Sequence, residues 1–245
     1  MATEALPADQ KGWPLGLTII TVVAAVLLVA AIALALGYAP MEATMGNVQR
    51  IFYLHVGAAW AGGLAFLVTV VVGVAYLITR SPRWDLLGSS SVEVGLVLVT
   101  ITLAGGMTWG AFAWGTPWTW DPKLTSFAVM WLSYAAYLML RQGIDDPNRR
   151  ARFAAIYGIV AFAGVIMTYF GARFIEATIH PYVVGESAST AQGDFGMTAR
   201  MVQTMIFNFI TMTFVYVAVL MHRIRLGRLG ALVEQARARL MAEAG

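Results

Sequence analysis

The sequence contains no cysteine, and only 12% of its residues are charged. The absence of cysteine excludes disulfide bonds, thiolate metal sites and a cofactor attached through thioether bonds. Any metal must therefore be held by histidine, methionine or oxygen ligands. A soluble domain carries about 25% charged residues, whereas this chain is 59% hydrophobic. The composition excludes an ordinary soluble domain and predicts an integral membrane protein.

The 245 residues also lack a linker, an internal repeat and a low-complexity tract that would divide them. A single polytopic membrane domain over residues 1–245 is therefore predicted. Residues 1–13 carry two acidic residues and one lysine, unlike the basic start of a cleaved signal peptide. The first apolar run is expected to be retained.

Six apolar runs have the length of membrane-spanning helices, which rise 1.5 Å per residue across a hydrocarbon layer of about 30 Å. They predict an all-α membrane protein with six transmembrane helices and with both termini on one side. Glu93 and Arg141 stand only at span ends, which argues against an ion or proton pathway through the bundle. The predicted spans cover residues 15–36, 54–78, 92–113, 124–140, 153–170 and 201–221.

Basic residues are unevenly distributed between the two sides of this bundle. Twelve lie on the side of the termini and four on the other side. Lysine and arginine accumulate in cytoplasmic loops, so both termini are predicted to be cytoplasmic and the loop between helices three and four outside. The tail, residues 223–245, carries five arginines among spaced apolar residues and is predicted to be a basic amphipathic helix on the inner leaflet.

The loop after the third span is rich in tryptophan. A single tryptophan is usually explained by anchoring at the membrane interface. Four tryptophans in twelve residues, with Gly115 allowing close backbone approach, predict a binding surface for a large, flat, mostly apolar ring. The four are Trp109, Trp114, Trp118 and Trp120.

Asp121 follows these tryptophans and precedes Pro122 at the start of the fourth apolar run. Aspartate at the N-cap with proline at the first helical position is a common helix start. Asp121 therefore has two open interpretations, a helix cap or a ligand contact.

Two of the three histidines lie on the same side as the tryptophans. His55 stands at the outer end of helix two, and His180 stands in the outer connection before Pro181, which disfavours helical geometry at His180. His222 lies at the cytoplasmic end of helix six, where contact with the interface explains it. Two neutral imidazoles across an aromatic surface suit bis-histidine coordination of haem iron. His55 and His180 are thus candidate ligands.

Without cysteine such a haem would be non-covalently bound haem b. Its propionates are anionic and require cationic or hydrogen-bonding partners. The outer side offers four cations for them, namely Arg50, Lys123, Arg173 and Arg200.

Residues 114–121, Trp-Gly-Thr-Pro-Trp-Thr-Trp-Asp, resemble the WWD motif of haem-handling proteins of cytochrome c maturation. With Thr-Trp-Gly at 108–110, Leu-Thr-Ser at 124–126 and Tyr-Leu-His-Val at 53–56, the chain resembles the CcmC family over about residues 46–223. Pro117 departs from the motif, because an aromatic residue is common there in relatives. Haem synthetases with the motif are normally longer, which favours delivery over attachment to apocytochrome.

The resemblance implies that His55 and His180 ligate haem iron and that the motif holds the porphyrin. It implies presentation of haem, at the periplasmic side of the bacterial inner membrane, to a membrane-anchored haem chaperone. Subunits of an ABC transporter and a small single-span membrane protein are further implied partners, the lipid bilayer surrounds the chain, and no nucleic acid is involved. The haem-contacting residues so predicted are His55, His180, Trp109, Trp114, Gly115, Trp118, Trp120 and Asp121.

Two other functions are weighed against haem presentation. A haem transporter would place polar groups along a path through the bundle, and a cytochrome b-type electron-transfer subunit usually places histidines inside spanning helices. The sequence shows neither pattern, so presentation is the leading prediction. No acid, base or nucleophile set is recognisable apart from Asp121, so no catalytic residue is predicted and assistance in covalent haem attachment is left open.

Overall fold

The computed structural model describes residues 14–43, 45–171, 178–181 and 196–244. Within them lie six helices that are long and apolar enough to cross a membrane, and no strand. The predicted all-α membrane fold with six spanning helices is therefore confirmed. The helices are α1 (Leu15–Ala33), α2 (Gln49–Thr79), α3 (Pro82–Ala113), α4 (Pro122–Gln142), α5 (Pro147–Ile166) and α6 (Ala199–Ala244).

Two of these helices widen at their last turn. α1 continues as a π-helical turn over Leu34–Tyr38, and α5 continues as one over Met167–Gly171. π-Helical turns are rare and are found frequently at functional sites. Both of these turns lie at the end of the bundle at which α2, α4 and α6 begin.

Proline opens α3, α4 and α5, where its missing N–H is not needed by the helix. The residues before α4 and α5 are Asp121 and Asp146. Their carboxylates accept hydrogen bonds from the backbone N–H groups of Leu124, at 2.9 Å, and Arg149, at 2.6 Å. The sequence therefore specifies these helix starts locally.

α2 is the central helix and packs against α3, α5 and α6. A Cβ atom on Gly62 would lie 2.6 Å from Val99 Cγ1, and one on Gly95 would lie 2.9 Å from Ala65 Cβ. The backbones of α2 and α3 therefore approach closely, as small residues allow in membrane helices. α1 packs against α6, and α4 packs against α5 and α3.

Two ion pairs tie helices together near the end of the bundle that carries the termini. The Arg141 guanidinium donates to both Asp85 carboxylate oxygens, at 2.5 and 2.9 Å. Arg223 of α6 donates through Nη2 to Glu93 Oε1 at 2.8 Å. α3 begins ten residues earlier than the predicted span, so Glu93 lies inside the helix, and its charge is balanced there by Arg223.

α6 is unbroken over 46 residues, about 69 Å at 1.5 Å per residue. The tail is helical, as predicted. A helix lying along the inner leaflet would require a break after the spanning segment, however, and residues 199–244 contain no break. His222 Nε2 lies 2.8 Å from the Thr21 hydroxyl of α1, and its contact with the interface stays a prediction. α6 therefore extends the bundle beyond the apolar span.

Candidate binding site

The end of the bundle that carries the tryptophan loop contains a cavity of about 370 Å³. This volume falls in the range of about 300–1,000 Å³ that is usual for ligand sites. Four helices, the π-helical turn after α5, the tryptophan loop and the segment at residues 178–181 form its wall. The lining residues are His55, Val56, Ala59, Trp60, Thr102, Leu103, Gly106, Met107, Trp114, Pro117, Trp118, Lys123, Leu124, Phe127, Thr168, Tyr169, His180 and Phe209.

His55 lies in the second turn of α2 and is oriented by α3. Its Nδ1 is 2.8 Å from the Thr102 carbonyl oxygen. A carbonyl oxygen only accepts, so Nδ1 carries the hydrogen and Nε2 keeps the lone pair that a metal requires. The ring lies against α3 where a Cβ atom on Gly106 would be 2.8 Å from His55 Cε1. Glycine at position 106 makes room for the imidazole.

His180 is half-buried behind the tryptophan loop. Its ring centroid lies 5.6 Å from that of Trp114 and 6.4 Å from that of Trp109. Its Nδ1 is 3.0 Å from the Pro181 carbonyl oxygen and 3.3 Å from Lys123 Nζ. Burial, followed by the nearby Lys123 ammonium, lowers the pKa of His180 well below its usual value. The imidazole is therefore neutral at pH 7, the form that binds metal.

The four tryptophans form two perpendicular pairs. The ring centroids of Trp109 and Trp114 are 4.9 Å apart, and those of Trp118 and Trp120 are 5.5 Å apart. Of these four, Trp114 and Trp118 line the cavity. Trp109 is buried against Trp114, whereas Trp120 is 77% exposed. Gly115 adopts φ +70° in the turn between the pairs, a conformation that favours glycine.

Asp121 does not line the cavity, and it joins α4 to the segment that carries His180. Its Oδ1 caps Leu124, and its Oδ2 accepts a hydrogen bond from the Thr178 hydroxyl at 3.1 Å. The same hydroxyl accepts from the His180 N–H at 3.1 Å. The capping interpretation is confirmed, and the carboxylate also fixes the backbone of His180.

The four predicted cations are placed differently. Lys123 lines the cavity, Arg50 has a buried Nε without a hydrogen-bond partner among the described residues, and the Arg200 guanidinium lies 4.3 Å from the Tyr38 ring centroid. Arg173 lies outside the described residues. Lys123 is therefore the predicted cation that the structure places beside both candidate ligands.

The donor set of the cavity fits haem. The described residues contain no group of three or more histidine, cysteine, aspartate or glutamate side chains that would hold a metal ion on its own. Two imidazoles suit an iron whose other four ligands come from a porphyrin. The Trp118 Nε1–H is buried without an acceptor in the described part of the chain, so Trp118 and Lys123 offer donors for carboxylates.

Comparison with known proteins identifies a matching family. The family described as Heme exporter protein C matches residues 13–239. The chain belongs to this family. The family assignment made from residues 114–121 and 53–56 is thereby confirmed.

Three relatives are identical to this chain at about a third of the aligned residues. The Heme exporter protein C of Paracoccus denitrificans is 30% identical over 155 residues, 63% of each chain. That of Rhodobacter capsulatus is 29% identical over 143 residues, 58% of this chain and 59% of the relative. A cytochrome c biogenesis protein CcsA of Prochlorococcus marinus is 39% identical over 104 residues, 42% of this chain and 33% of the relative. The chain thus matches about three-fifths of the first two relatives' length.

Several lining residues of this family member were not predicted from the sequence. Thr102 and Gly106 hold the His55 imidazole. Tyr169 lies in the π-helical turn after α5, lines the cavity, and donates a hydrogen bond to the Ala59 carbonyl oxygen. In the sequence, the adjacent glycines Gly105 and Gly106 inside an apolar run indicate that another group packs closely against this helix. The Tyr169 contact depends on a π-helical turn that has no such indication.

Asp121→Ala is expected to destabilise the protein by about 1–2 kcal/mol, the usual cost of losing an aspartate N-cap. The substitution also removes the acceptor of the Thr178 hydroxyl, so haem content should fall less than when a ligand histidine is lost. Thermal unfolding in detergent and haem content per protein measure the two effects. Asp121→Asn retains a capping oxygen and is the control. Wild-type stability together with complete haem loss in Asp121→Ala would instead indicate direct haem contact.

Proposed function

We propose that this protein binds haem b at the periplasmic face of the bacterial inner membrane and presents it to a membrane-anchored haem chaperone during c-type cytochrome biogenesis. The observation that carries the proposal is that His55, His180, Trp114 and Trp118 all line the same cavity. Membership of the Heme exporter protein C family supports haem as the ligand.

The cavity suits a ligand that is held firmly and yet remains reachable. His55 is anchored on two packed helices, whereas His180 is anchored through Thr178 and Asp121 in a short segment outside the helices. Trp120 extends the aromatic surface beyond the cavity and is 77% exposed. We propose that the chaperone docks on this exposed rim, while the two histidines keep the haem from dissociating into water.

The two ends of the bundle differ in a way that supports the proposed orientation. The ion pairs Asp85–Arg141 and Glu93–Arg223, with the arginine-rich tail, belong to the end that carries the termini. The imidazoles and tryptophans belong to the other end. An excess of arginine is typical of the cytoplasmic side, so the cavity faces the periplasm in this proposal. ABC transporter subunits and a small single-span membrane protein are the proposed companions.

The packing of the middle of the bundle favours presentation over transport. Ala58, Ala61, Ala65 and Phe66 of α2 are completely buried against neighbouring helices at this level. The cavity that contains the histidines lies at one end, and apolar side chains fill the α2 and α3 interface beneath it. We propose that haem reaches the outer site without passing through this chain.

A deletion experiment separates presentation from transport. Spheroplasts of the source bacterium without this chain should form no covalent haem on the chaperone and no c-type cytochrome, even when haemin is added from outside. The chaperone needs haem to be presented to it whether the haem comes from inside or outside the cell. Haemin added from outside should therefore not replace the missing chain. Haem staining of denatured membrane proteins measures both products.

The wild-type chain restored on a plasmid should return haem staining of the chaperone and of the cytochromes. Rescue of the deletion by external haemin alone would show that the missing step was movement of haem across the membrane. Normal haem staining in the deletion without any addition would contradict both functions.

A further inference from the structure

A second groove lies at the opposite end of the bundle, between the start of α1 and the part of α6 that follows the apolar span. Its volume is also about 370 Å³. Pro14 and Leu17 form the α1 side, and Ile224, Arg225 and Arg228 are among the residues of the α6 side. This groove shares no residue with the cavity that contains the histidines.

The charge of the groove is positive at one edge. Arg225 and Arg228 are three residues apart on α6 and therefore project from the same face of the helix, towards α1. α1 begins at Leu15, so the positive end of its dipole also opens on the groove. Two guanidinium groups and a helix N-terminus around one concavity favour an anion with several oxygen acceptors.

The part of α6 that forms the groove wall is held in place by contacts with α1 and α3. A Cβ atom on Gly227 would lie 2.6 Å from Leu86 Cδ1, so α6 contacts the start of α3 closely. One turn earlier Arg223 pairs with Glu93, and His222 bonds the Thr21 hydroxyl of α1. The two arginines therefore stand on a fixed part of α6 and not on a free tail.

Apart from the two arginines, the groove is lined by apolar residues, and the outer face of α1 beside it is apolar as well. Leu17 is buried within the groove, whereas Leu15, Ile19 and Val22 are 74%, 53% and 56% exposed on the same helix. An anion with attached hydrocarbon chains satisfies both surfaces, because its chains can lie along α1 within the membrane. We propose that this groove binds the headgroup of an anionic phospholipid, with Arg225 and Arg228 contacting the phosphate.

The proposal is tested with phosphatidylglycerol added to the full-length protein in neutral detergent, with bound lipid counted by native mass spectrometry. Two arginines near a membrane surface contribute about 1 kcal/mol each. Arg225→Gln/Arg228→Gln should therefore bind phosphatidylglycerol about 30-fold more weakly. Arg237→Gln/Arg239→Gln removes the same charge from exposed positions later on α6 and should bind it as the wild type does.

Three further arms identify the ligand chemistry. Phosphatidylcholine, glycerol phosphate and inorganic phosphate should each bind much more weakly than phosphatidylglycerol. Equal losses in the two double variants would overturn the proposal, because only net charge would then matter. Equal binding of phosphatidylcholine or of glycerol phosphate would overturn it as well. If circular dichroism shows that the groove double variant is unfolded, Arg228→Gln alone provides the comparison, with an expected loss of about fivefold.

Discussion

Replacing His55 or His180 by alanine is expected to remove low-spin haem from the purified protein. Removal of a group that only orients a metal ligand costs about 10- to 100-fold in affinity, so loss of a ligand itself should exceed 100-fold. Both imidazoles line one cavity, and burial lowers the pKa of His180, so that side chain is not lost to protonation at pH 7. Haem content per protein and the absorbance spectrum of the membrane-purified chain measure the result.

His222→Gln is the matched control for these two substitutions, because His222 lies at the opposite end of α6 and bonds Thr21. It should retain wild-type haem and spectrum. Added imidazole should restore a low-spin spectrum to both alanine variants, since alanine leaves space for it in the cavity. Wild-type haem content with low-spin bands in both alanine variants would show that the ligand assignment is wrong.

The helices could be predicted from the sequence because hydrocarbon selects long apolar runs. Their ends could not, because hydropathy locates the part of a helix in contact with lipid and not where hydrogen bonding stops. α2 begins at Gln49 and α3 at Pro82, five and ten residues before the apolar runs. Two residues, Arg80 and Ser81, join α2 to α3, and Arg80 adopts φ 56°. The helices therefore extend beyond their apolar runs as far as this short polar turn. Local chemistry did specify the start of α4 at Asp121 and Pro122.

The site was predictable only where residue type alone indicates chemistry. Histidine and tryptophan identified His55, His180, Trp114 and Trp118, which the structure brings into one cavity. Sequence spacing could not tell which tryptophans would line it, because one member of each perpendicular pair lines the cavity and the other does not. The haem contacts of all eight predicted residues stay predictions, and Trp109, Trp120, Gly115 and Asp121 do not line the cavity. The residues that orient the histidines come from packing between helices distant in sequence.

Gly106→Val is expected to reduce haem affinity by at least about 10-fold without unfolding the protein, as loss of a ligand-orienting group does. A Cβ atom at this position would lie 2.8 Å from His55 Cε1 and 3.2 Å from Nδ1. The imidazole would have to move, and its hydrogen bond to the Thr102 carbonyl oxygen would lengthen or break. The Nε2 lone pair would then no longer be held in its present orientation. Haem titration and the low-spin bands measure the effect, while circular dichroism checks folding.

The neighbouring glycine gives a control on the same helix. A Cβ atom on Gly105 would lie 3.4 Å from His55 Cβ, an ordinary contact that does not displace the ring. Gly105→Ala and Gly106→Ala should both favour helix formation by about 1 kcal/mol, so their folding effects match. Only Gly106→Ala should weaken haem binding, and Gly106→Val should weaken it further. Equal haem affinity in the two alanine variants would mean that the His55 orientation set by Gly106 and Thr102 does not govern binding.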